Sequence, residues 1–314
     1  MLLIGPSLLA GIGQHLFKYS YVLQNTRYIQ LGVDPIPEGD DMALIFALPI
    51  PEWIQRIPEI KHKCKKVICM TTCETETVHE AYGELFKHFD KVAVSSKFCK
   101  KVFSRQFPHT EFIIVRAHIP VKTITSITNT FGIPGGKYIF YHIGNIVDQR
   151  KNFKNILEAF IRLQLPDSLL VVKATCKQDV TIKVPNVIVI NGLIPENELD
   201  GLHKLCDCYV SFSSSEGIGL GAVEAAIQNK PVIIPEYGGA VDYIKTPYLI
   251  ECGKQEIAHD DFLFKKGMIW GKPDFNQLVK FMKDAYDKKL TYMDHSHTRF
   301  VVGPEEFYRT FALM

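Results

Sequence analysis

Apolar positions along the chain follow two rhythms. Short apolar runs at residues 2–4, 43–48, 67–70, 92–95 and 112–115 predict strands, and amphipathic stretches fall between them. The clearest such stretch covers residues 77–89, where Val78, Ala81, Tyr82, Leu85, Phe86 and Phe89 share one helical face. Thr77 and Glu80 have the capping-box spacing, which predicts the helix start. Residues 120–137 break the rhythm: a Thr-rich stretch runs into Gly132-Ile-Pro-Gly-Gly136 and reads as a linker. Beyond it, strands are predicted at 138–143, 168–173, 187–190, 209–213 and 231–234. Helical spacing recurs at 152–165 through Phe153, Ile156, Leu157 and Phe160, and again from Pro195 through Leu199, Leu202 and Leu205. A further helix is predicted over 274–289, with Phe275, Leu278, Val279, Met282 and Tyr286, and a short one over 304–312.

Buried strands alternating with amphipathic helices imply parallel sheets covered on both faces. Two such units in series predict an α/β fold of two Rossmann-like, doubly wound domains facing a cleft. Ligands would then bind where strand C-termini meet helix N-termini. Composition narrows the class. A chain of 314 residues allows two domains. Hydrophobic residues at 46% and charged residues at 22% exclude a disordered chain. Lys+Arg at 36 against Asp+Glu at 34 leaves a net charge of +2, too small a field to steer nucleic acid, so no nucleic-acid partner is expected. The 8 cysteines form neither a C-x-x-C pair nor a zinc-finger spacing, and read as reduced thiols in a reducing compartment. The apolar start Met-Leu-Leu-Ile-Gly-Pro lacks the basic region of a signal peptide, and no apolar run approaches the ~18 residues of a membrane span. The chain reads as soluble, unprocessed and cytoplasmic.

Chemistry concentrates in Ser211-Phe-Ser-Ser-Ser-Glu216-Gly-Ile-Gly-Leu-Gly-Ala-Val-Glu224. A strand enters a glycine-rich turn and a helix leaves it. Glycines let backbone approach a ligand closely, and free N–H groups at a helix start suit a phosphate. Two carboxylates beside such a site fit a ligand that also carries hydroxyls, because a carboxylate accepts hydrogen bonds from a vicinal diol; sugar or ribose is the natural partner.

Glu-x7-Glu in this setting resembles the signature of retaining nucleotide-sugar glycosyltransferases of group 1 (family 4), which have the GT-B fold. The flanks Leu202-His-Lys-Leu-Cys-Asp-Cys-Tyr-Val-Ser and Lys230-Pro-Val-Ile-Ile-Pro-Glu-Tyr-Gly-Gly are similar as well. The resemblance implies that Glu216 contacts the donor sugar as a catalytic carboxylate and that Glu224 holds the ribose. The helix start at Gly219 and Leu220 would face donor phosphate or sugar. His142-Ile-Gly144-Asn-Ile-Val-Asp-Gln-Arg150-Lys151 is similar to the family's diphosphate-binding stretch. Asn145 stands where the family often has Arg, Lys151 matches its Lys, and Arg150 is placed to supply the missing charge. Gly11-Ile-Gly13-Gln resembles the family's first glycine-rich loop, which makes Gly13 a donor-site candidate. Cys73-Glu74-Thr75 is similar to the Trp-Glu-Thr of a subgroup and makes Glu74 a catalytic candidate on the acceptor side.

The implied activity is transfer of a sugar, with retention, from a UDP- or GDP-sugar to the hydroxyl of a glycan, lipid-linked or protein-linked acceptor. No cofactor besides this donor substrate is implied. No metal is expected either, since the chain has no Asp-x-Asp triplet. The implied boundaries are 1–125 for a shortened acceptor-side domain, 126–273 for the nucleotide-sugar domain, and 274–314 for C-terminal helices that pack back on the first. A relative that binds nucleotide or glycan without turnover is the main alternative. A dinucleotide-dependent oxidoreductase is another, because Gly219-x-Gly221-x-x-Glu224 nearly spells GxGxxG, but with Glu for the third Gly and late in its domain. The basic stretches Lys61-His-Lys-Cys-Lys-Lys66 and Lys97-Phe-Cys-Lys-Lys-Val-Phe-Ser-Arg105 suit weak peripheral contact with an anionic membrane, although a solvated face is the commoner meaning. His295-Ser-His297 reads as solvated tail.

Overall fold

The computed structural model describes residues 1–119, 129–295 and 304–312. The linker expected over 120–137 and the 125/126 boundary therefore lie partly or wholly outside the described residues, as does His297.

Twelve strands build two six-stranded parallel sheets. The first contains β1 (Leu2–Gly5), β2 (Arg27–Gln30), β3 (Asp40–Phe46), β4 (Cys64–Thr71), β5 (Lys91–Val94) and β6 (Glu111–Ile114), in the order β2-β1-β3-β4-β5-β6. The second contains β7 (Tyr138–Gly144), β8 (Ser168–Ala174), β9 (Val187–Ile190), β10 (Cys208–Val210), β11 (Val232–Pro235) and β12 (Leu249–Ile250), in the order β12-β11-β10-β7-β8-β9. Counted from β7, the second order is that of a Rossmann sheet, with its switch point between β7 and β10. The helices are α1 (Gly11–Lys18), α2 (Pro51–Ile54), α3 (Ile57–Lys63), α4 (Tyr82–Phe86), α5 (Lys97–Gln106), α6 (Phe153–Leu163), α7 (Glu196–Leu205), α8 (Leu220–Ile227), α9 (Phe275–Asp287) and α10 (Pro304–Ala312).

The chain forms two compact units. One takes in the described residues of Met1–Pro120, Glu256–Trp270 and Phe300–Met314, and the other those of Val121–Gln255 and Gly271–Arg299. In the first, strands β1, β3 and β4 pack apolar side chains on both sheet faces: Ile4, Ile45 and Cys69 on one side, Leu3, Leu44 and Met70 on the other. In the second, β8 is buried along its whole length, and Phe140, Val172 and Val210 face Phe153, Ile156 and Phe160 of α6.

Three expectations change. The helix expected from residue 77 begins at Tyr82, and Thr77 is no cap. Gln106 from α5 binds both the N–H and the carbonyl of Val78, and His79 Nδ1 accepts from the Ala81 N–H, so residues 78–81 are held in turns. Helix α9 belongs to the second unit, because Leu278, Met282 and Ala285 enter that unit's core; Asp274 caps it by accepting from the Asn276 and Gln277 N–H groups. Of the terminal helices, α10 is the one that enters the first unit's core, through Phe307. His295 is buried, not solvated, and its Nε2 lies 3.0 Å from the carbonyl of Lys230. Helix α5 spends its apolar residues Cys99, Val102 and Phe103 on the core, leaving Lys97, Lys100 and Lys101 to solvent.

Candidate active site

The end of β7 and the turn after β10 meet at the switch point, and the loop residues there are stitched together. Asp148 starts a short 3-10 turn, Gln149–Lys151, by accepting from the Arg150 N–H at 2.9 Å. Asn152 follows in the left-handed region and donates to Ser214 Oγ (2.8 Å) and to the Phe212 carbonyl (3.2 Å). Ser214 N–H in turn donates to the Arg150 carbonyl at 2.8 Å. These bonds place Arg150 and Lys151 against Glu216.

Lys151 Nζ donates to Glu216 Oε1 at 2.6 Å, and Arg150 reaches Oε2 at 3.3 Å. Arg150 is 8% exposed; its guanidinium also donates to the Ser215 carbonyl at 2.6 Å and pairs with Asp148 at 3.1 Å. It braces the loop from behind, whereas Lys151 lines a cavity together with Glu216, His142, Ser211, Ser213, Gly219, Leu220 and Tyr237. Among the described residues, Lys151 is the only Lys or Arg in that lining. Burial alone would raise the Glu216 carboxyl, yet Lys151 and Arg150, with a hydrogen bond from Ser213, hold it down to about 2.

Gly219 precedes α8 at φ +76°, in the left-handed region, and a Cβ there would stand 3.3 Å from Ala240 Cβ and 3.6 Å from Glu216 Cγ. The turn therefore needs glycine, and the first residues of α8, Leu220, Gly221 and Ala222, line the cavity. Gly239 N–H fixes the Glu216 carbonyl at 2.6 Å from the far side. Glu224 lies about one turn into α8, 12% exposed and outside the cavity lining. Its carboxylate is 3.7 Å from His203 Nε2, and His203 Nδ1 is 2.8 Å from Tyr141 Oη. Burial lowers the Lys173 ammonium, and Glu224 partly restores it.

Residues 124–260 match the family model described as glycosyl transferases group 1. Glu216, Glu224, Lys151 and the α8 turn all fall within the match. Among solved structures, the chain resembles sucrose-phosphate synthase from Thermosynechococcus elongatus at 14% identity, covering 100% of this chain and 94% of that one with a TM-score of 0.59. It also resembles the pneumococcal O-GlcNAc transferase GtfA, solved with UDP and GlcNAc, at 16% identity, 87% and 56% coverage and a TM-score of 0.53. Staphylococcus aureus TarM gives 12% identity, 87% and 54% coverage and 0.59. The chain thus spans little more than half the length of GtfA and TarM. No curated protein matches it by sequence. The shared architecture is the GT-B fold, an α/β fold of two Rossmann-like domains.

The sequence candidates divide between the units. In the second, Lys151, Glu216, Gly219 and Leu220 line one cavity, Arg150 pairs with Glu216 outside that lining, and Glu224 stands apart from it beside His203. Gly13, inside the first turn of α1, and half-buried Glu74, just after β4, belong to the first. Asn145 accepts from the Cys176 thiol at 3.2 Å. Ser211, Ser213, Tyr237 and the imidazole of His142 line the cavity without having been singled out from sequence. The signal for His142 was available: one polar residue near the end of the apolar run Tyr138-Ile-Phe-Tyr-His142.

Proposed function

We propose that this chain is a glycosyltransferase that moves a sugar from a UDP- or GDP-sugar to an acceptor hydroxyl with retention of configuration. The Lys151–Glu216 pair at the start of α8, inside the cavity at the sheet switch point, carries this reading. A diphosphate is an anion, and Lys151 with the α8 N-terminus supplies the donors that bind it. The transferred sugar presents hydroxyls, and Glu216, ionised down to about pH 2, supplies an acceptor. As the bond from the sugar carbon to diphosphate oxygen breaks, charge grows on the leaving group, where Lys151 and the helix start stabilise it. Glu224 is assigned to the ribose, and Glu74 and Gly13 to the first domain's side of the reaction. No cofactor or metal enters the reading. The acceptor is a glycan, lipid-linked or protein-linked molecule, and the exposed lysines of α5 would make any membrane contact one of charge alone. The glycine turn follows β10, not the first strand of its sheet, which speaks against a dinucleotide fingerprint.

The test is turnover of a panel of UDP- and GDP-sugars with candidate acceptors, the product anomer read by proton NMR. An active chain releases nucleoside diphosphate and keeps the donor's anomeric configuration; an inverted product overturns retention. A second reading, a relative that binds without turnover, is favoured by one observation: Arg150 is spent on bracing the loop, and Asn145 brings no charge. Binding of a nucleotide sugar with neither transfer nor slow hydrolysis would decide for it.

A further inference from the structure

Neither the core nor the anion site accounts for His142. It is 1% exposed and lines the cavity. Its Nδ1 stands 2.8 Å from the Val210 carbonyl, so that nitrogen carries the hydrogen and donates. Nε2 is then a bare acceptor, and it has no hydrogen-bond partner among the described residues. The ring is held between Phe153 of α6 and Tyr209 of β10, with centroids 5.8 and 6.1 Å away. Gly144 leaves room beside it: a Cβ there would stand 3.0 Å from Nε2.

The charged groups around the ring are Lys151 from the 3-10 turn and Glu216 from the loop after β10. Burial, with Lys151, pushes the imidazole down to about 4 against the pull of the Val210 carbonyl and Glu216, so it is neutral in ordinary buffers. The cavity thus holds two kinds of polar group. Lys151 donates and the Glu216 carboxylate accepts; His142, whose ring lines the same cavity, adds an unpartnered acceptor in Nε2. A diphosphate at neutral pH offers only acceptors and cannot satisfy Nε2, whereas a sugar hydroxyl can.

We propose that His142 is a specificity-determining residue of the donor site, whose Nε2 accepts a hydrogen bond from a hydroxyl of the transferred sugar. The proposal rests on the donor-site reading above. It makes the site recognise the sugar through two acceptors, one charged and one neutral, while the nucleotide part is held elsewhere.

Two substitutions separate the ring nitrogens. His142→Asn keeps an amide N–H where Nδ1 bonds Val210 and places nothing at Nε2; His142→Gln restores a polar atom at the Nε2 position. Equilibrium dialysis would measure binding of UDP, GDP and their sugar conjugates to wild type and both variants, with thermal unfolding as the check on folding. His142→Asn is expected to weaken the sugar conjugate by about tenfold, the loss of one buried hydrogen bond. The bare nucleotide should stay within about twofold, since it lacks that contact, and His142→Gln should recover part of the loss. A deoxy-sugar conjugate lacking the accepted hydroxyl should weaken with wild type and not weaken further with His142→Asn; if the variant unfolds, equal binding of the deoxy and parent conjugates by wild type alone overturns the proposal. Equal losses for nucleotide and conjugate, or none for either, overturn the proposal while the donor-site reading stands. If wild type binds neither ligand, that reading fails and takes the proposal with it.

Discussion

Lys151 and Glu216 are each other's partner at 2.6 Å, and a phosphate that takes Lys151 leaves the Glu216 carboxylate to hydroxyls. Lys151→Ala should therefore lower kcat/KM by about 2–4 kcal/mol, with kcat falling as well as donor affinity, because leaving-group charge grows in the transition state. A loss confined to acceptor KM would contradict the placing of the diphosphate. Glu216→Gln should cut kcat and leave bare nucleoside diphosphate binding nearly unchanged, while Glu224→Ala should weaken the bare nucleotide; the reverse pattern would contradict the two roles. Resemblance to a known signature made Glu216, Glu224 and Lys151 candidates, and the glycine turn and helix that carry the first two are legible in the sequence itself. The sequence could not show that Arg150 points inward to the Ser215 carbonyl while its neighbour Lys151 lines the cavity. Nor could it show which nitrogen of His142 is bare, since that depends on the Val210 carbonyl of another strand.

Strand β8, buried from Ser168 to Ala174, is the kind of element a sequence announces, since a run covered on both faces is mostly apolar, here Leu169-Leu-Val-Val172 between Ser168 and Lys173. Strand β2 escaped because it sits at a sheet edge and only Ile29 of its four residues is buried. The helix expected at 77–89 shortened because Gln106, distant in sequence, captured the Val78 backbone and displaced the local cap. The turn into α8 is the element on which the site depends. Gly219→Ala forces a side chain into the left-handed region, a cost of about 1–2 kcal/mol. It also crowds Ala240, whose Cβ would stand 3.3 Å away. Weaker nucleotide-sugar binding with a modest fall in thermal stability is the expected result; unchanged binding would show that the turn does not position Glu216.

At the scale of the whole molecule, buried titrating groups set the response to acid. Burial holds His15 down to about 3, with Lys18 adding to it, and His142 down to about 4, both from 6.5. Below pH 6.5 the unfolded chain takes protons that the folded chain refuses. Stability should fall as pH drops from 6.5 toward 4, by roughly 1.4 kcal/mol per pH unit for each histidine. Glu216, held near 2 against 4.5, contributes fully above 4.5 and loses its contribution as pH falls toward 2. Denaturant titrations at pH 7 and pH 5 check the first part; equal stabilities would contradict it. Transfer should also survive EDTA, because Lys151 and the α8 N-terminus carry the anion in this account. Complete loss restored by Mg²⁺ would contradict that. Most direct is titration calorimetry of UDP and GDP against wild type and Lys151→Met, which keeps most of the side chain's length and removes its charge. The account predicts that wild type binds one of them and that Lys151→Met weakens it by about tenfold or more, the loss of a charge-assisted contact. Equal binding by both proteins, or none by wild type, would contradict it.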